Sequence, residues 1–183
     1  MMSRLVSNSI NLLLYQGGWF ACVLGGAWGY PMIGALLAAA LVGAHLLLVP
    51  DARREGPLLA VSCLIGVVVD SLQQVLGLFT FQTDPGWPFW LPLWVFVIWA
   101  QFATLFHYAL RWMRGRYWLA ALFGLLGGPL AYWAGVRFGA ASFGSPLLLS
   151  LLVLAMVWAV VTPLLVRLSE SFDAGDGHYR LPW

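Results

Sequence analysis

The sequence predicts an all-α membrane protein, a bundle of six transmembrane helices with both termini in the cytoplasm. Three observations support this fold class. Of 183 residues, 62% are hydrophobic and only 9% are charged, whereas a soluble domain carries about 25% charged residues because its surface faces water. Six apolar stretches are long enough as helices to cross a bilayer core about 30 Å thick. The arginines also alternate between connections, as expected when positive charge stays inside.

The six expected spans follow one another with short connections. They cover residues 8–28, 31–49, 57–79, 91–112, 117–137 and 146–167. Turn-forming or charged residues separate them, at Gly29-Tyr30-Pro31, Pro50-Asp51 through Gly56-Pro57, Thr83 to Pro88, Arg114-Gly115-Arg116 and Gly144-Ser145-Pro146. The spans are expected to form a single domain over residues 1–168. Residues 169–183 are expected to be a short polar cytoplasmic tail.

The distribution of arginine predicts the orientation. With the N-terminus inside, the inner connections and termini carry Arg4, Arg53, Arg54, Arg111, Arg114, Arg116, Arg167 and Arg180, and the outer side carries only Arg137. Short loops rich in arginine stay on the cytoplasmic side of a membrane. Adding or removing one span in the middle would mix the two groups, so the charge pattern predicts six spans with both ends inside.

The composition also excludes several classes of function. The chain contains no lysine, so it cannot form a lysine Schiff base or use the lysine of a phosphate-binding loop. A net charge of +2, scattered along the chain, does not indicate a nucleic-acid partner. The sequence has no Gly-x-Ser-x-Gly or His-Glu-x-x-His motif, so it lacks an ordinary catalytic signature.

Small residues recur at every fourth position in two spans. The first span carries Gly17, Ala21, Gly25 and Gly29, and the fifth carries Gly127, Ala131, Gly135 and Gly139. In lipid, helices associate through close backbone approach, which small residues permit. Both edges are therefore predicted to be helix–helix contacts, either with each other or with other helices.

The third span carries a polar face deep in the membrane. Asp70 is followed by Gln73 and Gln74 at helical spacing. A central aspartate costs about 2.5–3.5 kcal/mol to insert, so it is expected to face the bundle. Arg137 is its expected charged partner. Two interpretations stay open: the pair locks the bundle together, or these residues line a polar ligand pocket that opens outward.

A second polar group is expected nearer the cytoplasm. Gln101, Thr104, His107 and Arg111 lie within one arc of the fourth span, and His45 and Asn11 lie at a similar depth. These side chains are expected to line a ligand-binding cavity in the inner leaflet. No metal site or other cofactor is expected. Haem or metal at His45 and His107 is a minor alternative, because the chain lacks further clustered ligands.

Four ordered motifs resemble a known family. They are Asn11…Tyr15-Gln16-x-x-Trp19-Phe20-x-Cys22-Val23-Leu24-Gly25, Gly66…Asp70-Ser71…Gly77-x-Phe79, Leu93-Trp94…Trp99-x-x-Phe102-Ala103-Thr104…His107…Leu110-Arg111-Trp112, and Gly128-Pro129-Leu130-Ala131-Tyr132-x-Ala134-Gly135…Gly139-Ala140. Together they resemble an uncharacterised, domain-of-unknown-function family of small bacterial inner-membrane proteins. Tyr15 and the stretch Phe106-His107-Tyr108 depart from its usual pattern, which weakens any transfer of a role to Tyr108. The resemblance implies an inner-membrane location and, through genes that neighbour fatty-acid-modifying enzymes, a link to membrane lipid.

Several functions are compatible with these observations. The leading hypothesis is a protein that binds, senses or handles a lipid-like molecule in a polar-lined pocket. The second is a membrane-embedded enzyme acting on acyl chains, with His107, Asp70 and Arg111 as catalytic candidates. The third is an accessory subunit or homo-oligomer whose small-residue edges bind another membrane protein. The fourth is a small transporter or channel.

Overall fold

The computed structural model describes residues 4–82 and 84–174 of the chain. Within these ranges the chain forms six helices: α1 Arg4–Ala27, α2 Pro31–Leu48, α3 Ala52–Val75, α4 Leu93–Ala103, α5 Tyr117–Phe138 and α6 Leu147–Ala174. All except α4 are long and apolar enough to cross a membrane. Two short strands, β1 Phe79–Phe81 and β2 Ala141–Phe143, pair antiparallel. The tail expected at residues 169–183 is helical as far as Ala174, and its remainder lies outside the described residues.

Short turns with identifiable local causes join the helices. Gly29 has a φ of 79° in the turn between α1 and α2, a conformation that suits glycine. Pro31 follows at the first position of α2, where its missing N–H has no cost. At the start of α3 the side chain of Asp51 accepts a hydrogen bond from the backbone N–H of Arg53, which satisfies one of the free donors of the helix end. Gly139 ends α5 with a φ of 93°.

The small-residue edge of α1 packs against α2. A Cβ atom added to Gly25 would lie 2.9 Å from the Cα of Gly34, and one added to Gly34 would lie 2.3 Å from the carbonyl oxygen of Ala21. Gly17 faces Leu41 at an ordinary 3.5 Å. The backbones of α1 and α2 thus approach closely, as small residues permit in a membrane. Gly29 is not part of this contact, because the helix has already ended.

The expected small-residue edge of α5 is not the face that packs. Gly124 and Gly128 make the close contact with α6. A Cβ added to Gly124 would lie 2.0 Å from the carbonyl oxygen of Trp158, and one added to Gly128 would lie 2.2 Å from the Trp158 ring. A Cβ at Gly135 would meet nothing within 4 Å. The prediction of a helix contact along Gly127, Ala131, Gly135 and Gly139 is therefore wrong at Gly127 and Gly135, whereas a Cβ at Gly139 would lie 3.9 Å from the Cβ of Ala27 at the end of α1. The first three line a cavity instead, and Gly139 ends the helix.

Helix α4 is shorter than the span predicted over residues 91–112. After Ala103 the chain continues in tight turns, with a single 3-10 turn at Arg111–Met113. The carbonyl oxygen of Leu105 accepts from the N–H groups of both Tyr108 and Leu110. In a regular helix the carbonyl of Thr104 would accept from the N–H of Tyr108, and the N–H of Ala109 would donate to the carbonyl of Leu105. The turns leave the Thr104 carbonyl and the Ala109 N–H without these partners.

The side chain of Asn11 on α1 completes the broken region. Its Nδ2 donates to the carbonyl oxygen of Thr104 at 3.0 Å, and its Oδ1 accepts from the N–H of Ala109 at 3.3 Å. Leu105 and Phe106, inside the break, are 3% and 1% exposed. Irregular backbone at membrane depth is tolerated where protein buries it and satisfies its polar groups. The break is therefore a built feature of this fold.

Candidate functional site

A cavity of about 400 Å³ lies among α1, α4, α5, α6 and β1. This volume is in the range of pockets that hold small organic ligands, about 300–1,000 Å³. Most of its wall is apolar, and aromatic rings dominate it: Tyr15, Trp19, Phe79, Phe81, Trp94, Trp99, Phe102, Phe123, Tyr132 and Trp158. The glycines and alanines of the α5 edge form another part of the wall, because they fill little space.

Two stacked indole rings form one wall of the cavity. The rings of Trp99 and Trp158 lie 5.0 Å apart and are inclined by only 11°. Each ring packs directly against a glycine. A Cβ at Gly66 would lie 2.2 Å from Trp99, and one at Gly128 would lie 2.2 Å from Trp158. The absence of a side chain on α3 and on α5 thus makes room for the two rings.

Asp70 contributes a carboxylate to this aromatic wall. It is 1% exposed, and its Oδ2 accepts a hydrogen bond of 2.7 Å from Nε1 of Trp99. Its Oδ1 accepts from the hydroxyl of Tyr132, and Gln73 Nε2 lies 3.5 Å from the same oxygen. The carboxylate therefore joins α3 to α4 and α5 through neutral donors.

The expected ion pair between Asp70 and Arg137 is not formed. Arg137 lies in the last turn of α5 and is exposed, with its guanidinium 5.8 Å from the centre of the Trp133 ring. A long cationic side chain near a helix end extends towards the polar boundary of the membrane, which lowers its cost there. The prediction is wrong because Asp70 is satisfied by groups within the bundle.

The cavity opens between α1 and α5. Leu12 and Phe123 line it and are 48% and 39% exposed, and Gln16 beside them is also exposed. Near the other ends of the same helices, the rings of Trp19 and Phe138 lie 6.3 Å apart and close the gap. The opening is therefore on the side of the bundle, nearer the N-terminal ends of α1 and α5.

A separate buried polar cluster lies at the opposite end of α3 from Asp70. Glu55 is 3% exposed; its Oε1 lies 3.1 Å from Nδ1 of His107 and its Oε2 lies 3.8 Å from Nε2 of His45. Nε2 of His107 lies 3.6 Å from Asp173, and Asp173 also pairs with Arg114. The cluster therefore connects α2, α3, α6 and the segment after α4.

The residues expected to line an inner-leaflet cavity mostly bond to one another or to backbone. Gln101 lies over Gly18 and donates to the carbonyl oxygen of Ala38 at 2.8 Å. Thr104 donates to the carbonyl oxygen of Gln101. Asn11 Nδ2 lies 3.4 Å from His45, in addition to its contacts with the broken segment. These side chains lie between the helices, and none of them lines the cavity described above.

Of the nine residues predicted to bind a ligand, only Asp70 lines the cavity. The others are Gln73, Gln74, Arg137, Gln101, Thr104, His107, His45 and Asn11. Gln73 lies beside Asp70 and is buried, whereas Gln74 is directed outward and donates to the carbonyl oxygen of Trp90 at 3.2 Å.

The three catalytic candidates do not form one site. His107 contacts Glu55, which precedes Asp70 by fifteen positions on α3, or about 22 Å at 1.5 Å per residue. Arg111 is exposed. Glu55 also lies between His107 and His45, and the described residues hold no group of three or more His, Cys, Asp or Glu side chains arranged for a metal ion.

Three informative site residues receive no role from the sequence: Trp99 and Tyr132 occur in the family-like motifs, and Trp158 occurs in none of them. Trp99, Trp158 and Tyr132 lie within long apolar stretches, away from the ends where aromatic residues anchor a helix to the membrane boundary. That position was the available signal. Glu55 was assigned to a loop because Gly56 and Pro57 resemble a break, although α3 begins at Ala52 and includes both.

Apolar helices of membrane-spanning length, packed around an aromatic cavity with one buried carboxylate, define a helical membrane protein with an internal ligand-sized cavity. The chain belongs to the family described as "Protein of unknown function (DUF2878)", whose model matches residues 8–164. No curated protein and no solved structure matches it.

Proposed function

We propose that this protein binds a hydrophobic, lipid-like small molecule in the cavity between α1 and α5. The observation that carries the proposal is the cavity itself, about 400 Å³ with aromatic walls and Asp70 among its lining residues. An apolar pocket with a few placed polar groups is the usual form of a ligand site. The opening between two membrane-length helices suits a ligand that arrives from lipid.

The proposal includes six membrane crossings in a bacterial inner membrane, with both ends inside. Helix α4 has 11 residues, and the turns over 104–113 extend it, so that the two together reach about 30–36 Å at 1.5–2.0 Å per residue. That length is enough for a bilayer core. The positive-inside pattern of the arginines then favours a cytoplasmic location for both termini.

Binding is favoured over catalysis by the separation of the two polar clusters. Of the three catalytic candidates Asp70, His107 and Arg111, only Asp70 lines the cavity. His107 and Glu55 bond to each other far along α3. The enzyme, accessory-subunit and transporter alternatives stay predictions that no specific contact favours.

The proposal is tested by filling the cavity. Gly127→Leu adds a side chain where only Phe123 lies within 4 Å, and Gly43→Leu is a matched control on α2 with nothing within 4 Å and no part in the cavity. Native mass spectrometry of both variants in lipid nanodiscs should show a bound small molecule in the wild type and Gly43→Leu, and its loss in Gly127→Leu. Equal occupancy in all three would contradict the proposal.

The topology is tested separately with reporters fused to the chain. A periplasm-active reporter after Trp183 should be inactive, and the same reporter placed in the connection between α5 and α6 should be active. The reverse pattern, or activity at both sites, would contradict six crossings with both ends inside.

A further inference from the structure

We propose that the ligand of this cavity is a lipophilic cation, and that its positive charge pairs with Asp70. This inference rests on the proposed function, because it specifies the chemical class of the ligand for the same site. It is argued from the hydrogen-bond roles around Asp70, the lack of a cation there, and the aromatic walls.

Both carboxyl oxygens of Asp70 accept hydrogen bonds. An indole N–H can only donate, so Oδ2 accepts from Trp99. Oδ1 accepts from Tyr132, with the amide nitrogen of Gln73 at 3.5 Å. No contact in the described structure needs a proton on the carboxyl group. Both oxygens therefore act as acceptors, which is the role of a carboxylate.

That charge has no cationic partner from the protein. Among the described residues no Arg or His forms an ion pair with Asp70, and the expected partner Arg137 lies beside Trp133 instead. A buried charge is expensive unless it is paired, and an intramembrane carboxylate without a partner marks a functional site. A cation in the cavity would supply the missing charge.

The walls favour a cation over a neutral donor. The ring of Phe79 lies 4.9 Å from that of Tyr132, and Tyr132 lies 6.1 Å from Trp158, which stacks on Trp99. The faces of aromatic rings attract cations, most strongly where water is excluded, and such rings recognise quaternary ammonium groups. A carboxylate among aromatic rings therefore selects for positive charge, and the apolar remainder of the cavity selects for a hydrophobic body.

The test uses two ions of the same shape and opposite charge. Radiolabelled tetraphenylphosphonium and tetraphenylborate are equilibrated with nanodiscs that contain the wild type, Asp70→Asn or Gly127→Leu, and triphenylmethane serves as a neutral probe. The cation is expected to bind the wild type saturably, with affinity lower by about tenfold or more in Asp70→Asn, and no saturable binding in Gly127→Leu. The borate ion should show no difference among the three proteins.

The outcomes separate this inference from the proposed function. Saturable binding of tetraphenylphosphonium that Gly127→Leu abolishes but Asp70→Asn leaves unchanged would overturn the cation and retain the cavity. Absence of any binding sensitive to Gly127→Leu would overturn both. If Asp70→Asn does not fold, Asp70→Glu keeps the charge and should keep a preference for the cation over the borate ion; equal binding of the two ions would refute the inference.

Discussion

Two glycines of α5, Gly124 and Gly127, should respond in opposite ways to substitution by alanine. Gly124→Ala places a methyl group 2.0 Å from the carbonyl oxygen of Trp158 and 2.4 Å from Oγ1 of Thr162. The nearest atom is backbone, so a rotamer change cannot relieve the clash. Gly127→Ala places the same group 3.7 Å from the nearest atom, in the ring of Phe123.

The magnitudes follow from these distances. An ordinary carbon–oxygen contact is more than 1 Å longer than the distance at Gly124, so α5 and α6 must separate locally. Overpacking of this kind costs about 1–3 kcal/mol. At Gly127 the substitution removes the conformational freedom of glycine from a helix without a clash, which stabilises by up to about 1 kcal/mol. The free energies of unfolding of the two variants should therefore differ by about 1–4 kcal/mol.

The assay is equilibrium unfolding in mixed micelles with increasing sodium dodecyl sulfate, followed by the fluorescence of the eleven tryptophans. Gly43→Ala on α2, which meets nothing within 4 Å, controls for the general effect of replacing glycine. If Gly124→Ala and Gly127→Ala shift the midpoint in the same direction by the same amount, the assignment of one to the α5–α6 contact and the other to the cavity is wrong.

Three further substitutions test the polar contacts by the same unfolding titration. Asn11→Ala should cost about 1–3 kcal/mol for each of the two backbone groups left unsatisfied. Asn8 is exposed, so Asn8→Ala should change the free energy of unfolding by less than about 0.5 kcal/mol. Similar values for the two variants would contradict the role of Asn11. Arg137→Gln should change the free energy of unfolding by less than about 0.5 kcal/mol. A cost of about 3–5 kcal/mol would instead indicate that Arg137 does pair with Asp70. Glu55→Ala should cost about 3–5 kcal/mol because it removes the central member of a buried charged cluster, and an unchanged midpoint would show that the cluster does not hold the helices together.

The helix positions could be predicted from the sequence because each depends on local composition. The second span was expected at residues 31–49 and the fifth at 117–137, and the helices are Pro31–Leu48 and Tyr117–Phe138. Length, hydropathy and turn residues determine such boundaries without reference to other helices. The early end of α4 at Ala103 is not predictable in this way, because the irregular segment that follows it is completed by Asn11, which is distant in sequence.

The candidate site was predicted only in part for a similar reason. Asp70 could be identified because a carboxylate within a hydrophobic span is expensive wherever the helix packs. Its partners could not, since the choice between Arg137 and the donors Trp99 and Tyr132 depends on how α3, α4 and α5 are arranged. Small residues gave an ambiguous signal for the same reason: glycine permits both close packing, as at Gly124, and an empty space, as at Gly127.

The bonds from Asn11 to the irregular segment after α4 have a consequence for biosynthesis. Ribosomes make α1 first, so its carboxamide is already within the bilayer when residues 104–110 arrive. The later segment can then adopt its irregular shape by docking onto a preformed neighbour. A chain started after residue 30 would lack that neighbour, and its fourth helix would have to either straighten or remain outside the hydrocarbon.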